Sequence, residues 1–266
     1  MTGITVKELL EATGGNLLHG QEDQHVKHIS LDSRKMEGDD LFVPIVGERV
    51  DAHRFLCQAI ASGAAVVFTS EHHCGEDVKA CVRQQCGENR EQERKALQAA
   101  WIEVRDTKKA LQDLGSFCRK SLSLPLVGIT GSVGKTTTRE MIAEALSAGF
   151  KVYKTPGNSN SQVGVPITIA AIPQSAEIGV IELGMSEPGE MERIARVARV
   201  DCAVITNIGV APIEQLGSQE HILEEKLPLQ DGLPAEGILF LTGDDPLLDP
   251  VVPKEGRKRV LSALGR

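Results

Sequence analysis

The sequence predicts an α/β protein in which a small α+β domain precedes a domain built on a parallel sheet. From Leu126 onward, short strands rich in Val and Ile alternate with helical segments, as in a parallel sheet wound by helical crossovers. Before Leu126 the strands and helices follow each other without this regular alternation. Inside the later region, the stretch GITGSVGKTTT at 128–138 joins a buried strand to a helix through glycines.

Length and charge limit the classes of protein that fit. The 266 residues allow one large or two medium domains, and aromatic residues are only 3%, so the core must be aliphatic. Basic residues number 29 and acidic residues 37, which gives a net charge of −8 and argues against binding to nucleic acid or to anionic lipid. No apolar run reaches the roughly 18 residues of a membrane span, and the N-terminus has no signal-peptide pattern. We therefore expect a cytoplasmic protein without membrane insertion.

The elements of the first region follow from apolar spacing and turn residues. A short amphipathic helix is predicted at 5–13 and closed by Gly14-Gly15. Two strand-like runs follow, VKHISLDSR and DDLFVPIVG. A helix at 53–62 ends at Gly63, and AAVVFTS then forms a buried strand.

A polar stretch at 73–99 interrupts this region. It shows no clear apolar stripe, so we interpret it as a surface insertion or a weakly ordered helical segment. His72, His73, Cys74, Cys81 and Cys86 cluster there, but without a C-x-x-C pair free thiols are favoured over a metal site. A returning strand at 101–106 and a helix at 107–122 lead to Pro125. The predicted domains are 1–103 and 104–266.

The second region alternates regularly. After the strand at 126–130 the sequence predicts a helix at 136–149, strands at 151–155 and 178–184, a helix at 190–200, a strand at 201–209, a helix at 220–229 and a strand at 236–245.

The glycine turn between the first strand and helix has the chemistry of a phosphate-binding loop. Gly131 and Gly134 allow backbone N–H groups to turn toward an anion, and the helix N-terminus adds partial positive charge. Lys135 can reach terminal phosphates, and the Thr136 hydroxyl can ligate Mg²⁺. The match is to the short form T-G-x-x-G-K-[ST]-[ST], because Ile129 occupies the first glycine position of the longer pattern. The predicted nucleotide contacts are Thr130, Gly131, Ser132, Val133, Gly134, Lys135, Thr136 and Thr137. The domain is therefore predicted to be P-loop ATPase-like.

An acidic residue accompanies the loop. Glu182 ends the buried strand IGVIE, at the carboxyl edge of the predicted sheet, where ligands of open α/β folds collect. A carboxylate beside a phosphate loop can hold Mg²⁺, and we favour that role over a simple strand end.

Four further stretches resemble the Mur ligases, the ATP-dependent amide ligases of peptidoglycan synthesis. They are Asp32-Ser33-Arg34 with the following DDLFVPIVGERVDAHRFLCQAIASGA, then TPGNSNSQVGVPITI, IELGMSEPGEMERI and ITNIGVAPIEQLGSQEHILEEK. The motifs keep the family's order from about Val6 to Pro246. The asparagine-rich second stretch is most similar to the branch of the family that adds D-alanyl-D-alanine.

The resemblance implies a reaction and its residues. ATP would phosphorylate the carboxylate of UDP-N-acetylmuramoyl-tripeptide to an acyl phosphate, which the amine of D-alanyl-D-alanine would attack. By the same resemblance, Lys135 would hold the terminal phosphate, and Thr136 and Glu182 would bind Mg²⁺. Lys226 matches a family lysine that carries a CO₂-derived carbamate and so becomes a metal ligand.

The remaining matches extend over both domains. Asn207 corresponds to the nucleotide side, and Asn158 and Asn160 to the substrate-facing loop. Ser33 and Arg34 correspond to the uridine-nucleotide site, so the domain at 1–103 would bind that substrate. We expect a monomer.

Two departures from the family leave alternatives open. The family loop with a metal-binding histidine reads Ala211-Pro212-Ile213-Glu214 here. His221 is no obvious substitute, although Glu214 or Glu220 could compensate in part. The chain also ends inside what the family pattern makes the ATPase domain, so we expect an incomplete sheet, no C-terminal ligase domain and impaired ligation. A non-catalytic nucleotide-binding paralogue, a fragment or a sister Mur ligase are the alternatives, and a folylpolyglutamate synthase is disfavoured by the N-terminal domain.

Overall fold

The computed structural model describes residues 3–70, 73, 77–209 and 218–262. The chain divides into two compact units, Met1–Leu114 and Gly115–Arg266. The division falls inside helix α5 (Thr107–Ser121), whereas the sequence prediction placed it just before that helix. The prediction of an α/β protein with an α+β first part and a parallel-sheet second part is confirmed.

The first unit contains a mixed sheet of five strands in the order β2-β7-β6-β5-β4. Strand β2 pairs antiparallel with β7, and the other neighbours are parallel. A separate antiparallel pair joins β1 to β3. The strands of this unit are β1 (Ile4–Thr5), β2 (Asn16–His19), β3 (His25–Val26), β4 (His28–Ser30), β5 (Asp40–Phe42), β6 (Ala64–Thr69) and β7 (Ala100–Glu103).

The first helix of this unit begins and ends at capping residues. Helix α1 (Val6–Thr13) starts with a capping box between Thr5 and Glu8 and ends at Gly14, whose φ of 64° is left-handed. The others are a 3-10 helix (Ala52–Phe55), α2 (Leu56–Ser62), α3 (Val78–Cys86) and α4 (Arg90–Ala96).

The segment 73–99, interpreted as a surface insertion or a weakly ordered helical segment, is helical over Val78–Cys86 and Arg90–Ala96, and the surface-insertion alternative is wrong for the first of these helices. Helix α3 buries Val78, Cys81, Val82 and Cys86, which pack in one core cluster with Trp101 and residues of α2. These four positions form a helical stripe, but half of it is cysteine and the intervening residues are polar or charged, which hid the stripe.

The second unit is a six-stranded, fully parallel sheet in the order β13-β12-β11-β8-β10-β9. Its strands are β8 (Leu126–Thr130), β9 (Val152–Lys154), β10 (Ile178–Glu182), β11 (Cys202–Ile205), β12 (Ile238–Thr242) and β13 (Lys258–Ser262). Its helices after α5 are α6 (Lys135–Ser147), α7 (Gly164–Ala170), α8 (Glu190–Ala198) and α9 (Gln219–Lys226), followed by a 3-10 helix (Leu227–Gly232). Helix α7 and strands β2 and β13 were missed by the sequence analysis.

The strand order positions a site. From β8 the chain first crosses to the edge strand β9 and returns to β10, which lies next to β8, and it then builds outward on the other side through β11, β12 and β13. In open parallel sheets, such a reversal leaves a crevice at the carboxyl ends of the strands next to it, and ligands bind there. The loop after β8 and the end of β10 lie at this point. Among the described residues, no helix is both long and apolar enough to cross a membrane.

Candidate functional site

The loop between β8 and α6 needs its glycines. Gly131 and Gly134 have φ values of 149° and 82°, which are left-handed conformations that L side chains rarely adopt. A Cβ at Gly131 would also stand 1.9 Å from Thr206 Oγ1. The loop therefore turns tightly against β11, and its backbone is free to approach a ligand closely.

Thr206 and Asn207, which follow β11, fix this loop by hydrogen bonds. The Asn207 Oδ1 accepts from Val133 N at 3.0 Å, and its carbonyl accepts from Ser132 N at 3.1 Å. The Thr206 hydroxyl donates to Val133 O at 2.7 Å. Asn207 was predicted as a nucleotide contact. Its observed contacts shape the phosphate loop.

Lys135 lies at the start of α6 and folds back over the loop. Its Nζ donates to Gly131 O at 2.8 Å and to Ser132 O at 3.4 Å. Neutral carbonyls are weak partners for an ammonium compared with a phosphate, so Lys135 is available to an anion in the loop.

Glu182, at the end of β10, is hydrogen-bonded to two other predicted site residues. Its carboxylate accepts from Thr136 Oγ1 at 3.0 Å and from Asn160 Nδ2 at 2.8 Å. The residue is only 2% exposed. Sequence reasoning had placed these residues in separate motifs, and the fold brings the metal-candidate pair and one substrate-loop asparagine together. Carboxylate and hydroxyl oxygens are the ligand types that Mg²⁺ prefers, so the donor set fits that ion.

Arg139 completes this group and was missed by the sequence analysis. Its Nη1 donates to Glu182 Oε2 at 3.2 Å and to Gly157 O at 2.8 Å, and its side chain is 7% exposed. Its other nitrogens bind Glu140, which also pairs with Lys154. The sequence offered one indication that Arg139 lies near the site, because a residue four positions after Lys135 lies on the same face of the helix.

Lys226, the last residue of α9, is 3% exposed and faces the same cavity as Lys135. Within the described ranges no acceptor or carboxylate pairs with its amine. Burial, with a smaller contribution from the charge of Lys135, lowers the pKa of Lys226 to about 8. A fraction of the amine is therefore neutral near neutral pH, and a neutral amine is the form that reacts with an electrophile.

The cavity itself measures about 180 Å³ and is lined by both lysines together with Asn160, Ser161, Ser186 and Glu190. Glu190 is 1% exposed and accepts hydrogen bonds from the backbone of two loops beside the cavity. Its carboxylate accepts from Gln162 N at 3.0 Å and from Ser186 N at 2.7 Å. Glu190 and Ser186 were not singled out from sequence, since a glutamate opening a helix usually serves as a cap.

Several predicted residues lie away from this cavity. Thr130 is fully buried, and its hydroxyl has no partner among the described atoms. Val133 is 64% exposed, and Thr137 is exposed on α6. Asn158 is exposed, and its carbonyl accepts from Asn160 N at 2.8 Å. The prediction of all eight loop residues as nucleotide contacts thus mixes exposed and buried side chains.

The first unit holds Ser33 and Arg34 in the loop after β4. Ser33 is buried, while Arg34 is exposed and binds Asp32 through Nε at 2.8 Å and Nη2 at 2.9 Å. That pairing lowers the pKa of Asp32 to about 2. A guanidinium held by one carboxylate keeps a defined orientation at the surface.

The loop in which the family histidine was expected, including Pro212 and Glu214, lies outside the described residues. His221 is in α9, and its Nδ1 is 3.4 Å from Glu224 Oε2 on the exposed side of the helix. Glu220 is exposed at the start of the same helix.

Comparison with known proteins identifies relatives of both units. The Mur ligase middle domain matches residues 129–262, and the domain described as the Mur ligase family catalytic domain matches 25–118. The UDP-N-acetylmuramoyl-tripeptide--D-alanyl-D-alanine ligase of Bacillus subtilis is 40% identical over 92% of this chain and 50% of its own length. The chain spans about half the length of the curated relatives it matches.

Solved structures of Mur ligases are also similar to this chain. MurF from Acinetobacter baumannii superposes with a TM-score of 0.81 at 28% identity, covering 98% of this chain and 53% of that chain. The MurF ligase from Thermotoga maritima in complex with ADP gives a TM-score of 0.72 at 29% identity, covering 90% of this chain and 50% of that chain.

Proposed function

From the premise that the chain belongs to the Mur ligase family, we propose that it binds ATP and serves the ligation of D-alanyl-D-alanine to UDP-N-acetylmuramoyl-tripeptide. The observation that carries the proposal is the cavity that Lys135, Lys226 and Asn160 line beside a glycine loop. Asn160 donates to Glu182, which also accepts from Thr136. The substrates are those printed in the names of the relatives. Both are water-soluble precursors, so we assign the reaction to the cytoplasm.

The phosphate side is the better supported half. The loop amides after Gly131 and the start of α6 offer donors and partial positive charge to phosphate oxygens. Lys135 leaves its carbonyl partners and binds the terminal phosphate. Thr136 Oγ1 and Glu182, now 3.0 Å apart, are the residues that would hold Mg²⁺. Bound ATP and Mg²⁺ would supply the phosphoryl group and the charge neutralisation that activate a carboxylate.

Lys226 has a role in this proposal because of its unusual amine. It is buried and partly neutral near pH 8. It can accept CO₂ as a carbamate, which would turn a cation that repels Lys135 and Mg²⁺ into an anion that attracts both. Asn160 donates its amide to Glu182 at 2.8 Å and lines the cavity, so we assign it to the peptide substrate. Asn158 shares that loop.

Binding of the uridine nucleotide is assigned to the first unit, through Ser33 and Arg34. An exposed guanidinium can donate two parallel hydrogen bonds to a diphosphate oxygen pair. Arg34→Ala should weaken binding of UDP-N-acetylmuramoyl-tripeptide at least tenfold without changing ATP affinity.

The test of the nucleotide site is an ATP titration by calorimetry in the presence of Mg²⁺. Wild type should bind one ATP. Lys135→Ala should bind at least tenfold more weakly, because phosphate loses its nearest cation. Lys151→Ala, which removes an exposed lysine of the same unit, should bind as wild type does. Equal affinity of wild type and Lys135→Ala would refute the assignment.

A further inference from the structure

The first unit contains a second group of metal-ligating side chains, which the proposed function does not use. Asp51 caps the 3-10 helix Ala52–Phe55, and its carboxylate lies between two imidazoles. The Asp51 Oδ1 is 2.7 Å from His53 Nδ1, and the Asp51 Oδ2 is 2.5 Å from His73 Nε2. One ligand atom from each residue falls within 4.8 Å of the others. In the parts of the chain that the structure describes, no other three such side chains come this close.

The imidazoles are held in place by each other and, for His73, by a residue outside the cluster. Their rings stack with centroids 3.7 Å apart and planes 10° from parallel. The Ser70 hydroxyl lies 2.6 Å from His73 Nδ1, so it fixes that ring with Nε2 toward the carboxylate. Metal-binding histidines usually have such a partner on the second nitrogen, since it sets the tautomer and the ring orientation.

We propose that Asp51, His53 and His73 form a binding site for a divalent transition metal ion of the zinc type, completed by water. Two imidazole nitrogens and one carboxylate oxygen suit Zn²⁺, Co²⁺ or Ni²⁺, whereas Mg²⁺ and Ca²⁺ prefer oxygen ligands throughout. The protons that now bridge the two rings to the carboxylate move to the opposite ring nitrogens, so each imidazole binds the ion as a neutral ligand.

The adjustment that the site needs falls on its two partly exposed ligands and includes a tilt of the stacked rings. Around a tetrahedral ion with bonds of roughly 2.0–2.1 Å, neighbouring ligand atoms stand about 3.3 Å apart. The contacts at 2.7 and 2.5 Å must therefore open by less than about 1 Å each, while the widest pair of ligand atoms, up to 4.8 Å apart, must close by about 1.5 Å. The His53 side chain is 4% exposed and forms the fixed side, while Asp51 and His73 are 37% and 26% exposed. Those two can tilt, and they give the ion a path from solvent.

The consequence is a structural clip. His73 follows β6, and Asp51 precedes α2, so the ion closes a loop of the chain that contains the buried helix α2 and strand β6. The core of this unit lies against both elements. Metal binding is therefore expected to stabilise the first unit, because the folded state binds the ion and the unfolded chain does not offer the site.

The experiment uses the whole chain after dialysis against a chelator. Titration with ZnCl₂ should show one ion bound with a Kd of about 10 µM or below. Co²⁺ should give the strong visible absorption of a four-coordinate site, and Zn²⁺ should raise the melting temperature.

Two variants and one control locate the ion. His73→Gln removes a ligand from a partly exposed position, and Asp51→Asn keeps the helix cap while removing the anionic ligand. Both should lose at least tenfold in Zn²⁺ affinity and lose the Zn²⁺-dependent rise in melting temperature. His28→Gln, which removes an exposed histidine of the same unit, should behave as wild type.

Three outcomes would overturn the proposal. They are no stoichiometric binding by wild type at about 100 µM Zn²⁺, unchanged affinity in His73→Gln or Asp51→Asn, and loss of binding in His28→Gln. None of them bears on ATP binding, which the Lys135→Ala titration decides separately.

Discussion

Lys226 shows how a single residue can be costly to the fold and useful to a site. A lysine that is 3% exposed has lost almost all contact with water, and among the described residues no carboxylate repays that loss. Its pKa of about 8 expresses the same cost as a preference for the neutral amine. Such residues concentrate at functional sites, because structural positions rarely retain an unpaired buried charge.

The stability of the protein should therefore depend on pH through Lys226. The pKa is about 8 in the folded protein and near 10.5 when the chain is unfolded, so between these values the unfolded state binds more protons. Stability gained from deprotonation of this lysine thus rises as pH climbs from about 8 to about 10.5. At pH 7 the penalty is fully present.

Lys226→Met keeps the side-chain length and removes the charge. At about 1.4 kcal/mol per pKa unit, the shift from 10.5 to about 8 means that it should raise the free energy of unfolding at pH 7 by on the order of 3 kcal/mol. The gain should shrink toward zero by about pH 10.5, where the wild-type amine is neutral in both states. Urea unfolding in CO₂-free buffer at both pH values measures this. A gain independent of pH would mean that the buried charge is not its source.

Arg139 and Glu182 form a buried ion pair, so substitution of one partner leaves the charge of the other unpaired in the interior. The two side chains are 7% and 2% exposed. Removing one partner of such a pair strands the other charge in the interior, at a cost of about 3–5 kcal/mol. Arg139→Gln should lower the free energy of unfolding by about 3 kcal/mol.

The matched control is Arg196→Gln. Arg196 also pairs with a glutamate, Glu192, but its side chain is 71% exposed. Exposed pairs contribute about 0–1 kcal/mol, so this variant should differ little from wild type. Both are measured by urea unfolding at pH 7. Similar losses in the two variants would show that burial of the Arg139 pair has no special weight.

At the scale of elements, helix α3 (Val78–Cys86) is the clearest case in which packing outweighs local composition. Val82 is fully buried in the core cluster of the first unit, beside residues of α2 and the strand residue Trp101. Lys79, three residues earlier in the same helix, is exposed. The helix therefore has one face committed to the core, although the segment is rich in charge.

Val82→Ala should lower the free energy of unfolding by about 2 kcal/mol, because it leaves a cavity in a packed core. Lys79→Ala should change it by less than about 0.5 kcal/mol, as surface substitutions usually do. Thermal unfolding of both variants decides between the buried helix and the surface insertion that the composition favoured. Equal and small effects would support the insertion.

The elements that sequence predicted well are those with a strong period or a strong cap. The β/α alternation after Leu126 was readable because parallel strands are buried on both faces and appear as short Val- and Ile-rich runs. Helix α7 was missed because it begins with Gly164 and carries Pro166 in its first turn, both of which also occur in loops. Strand β13 was missed because every one of its residues is exposed.

The residues of the candidate site also differ in whether the sequence predicts their place in it. Lys135, Thr136 and Glu182 were predictable, because a glycine turn between strand and helix has few other uses and strand ends share one edge of the sheet. The contact of Glu182 with Asn160 and with Arg139 depends on how the loop at 155–163 returns to the sheet, and no local pattern records that path.

At the scale of the whole molecule, the two units carry different proposed roles. Residues 115–266 hold the phosphate loop and its cavity, and residues 1–114 hold Ser33, Arg34 and the Asp51–His53–His73 cluster. If these assignments are right, ATP should change the local stability of the second unit around the cavity, and Zn²⁺ that of the first unit around residue 73.

Hydrogen exchange of the whole chain with and without Mg-ATP, followed by mass spectrometry, tests the nucleotide site most directly. The account predicts slower exchange in peptides that cover 131–138, 160–162 and 184–190, because these backbone segments surround the cavity. The same peptides in Lys135→Ala should exchange equally with and without Mg-ATP. Exchange that is unchanged by Mg-ATP in the wild-type peptide over 131–138 would contradict the account.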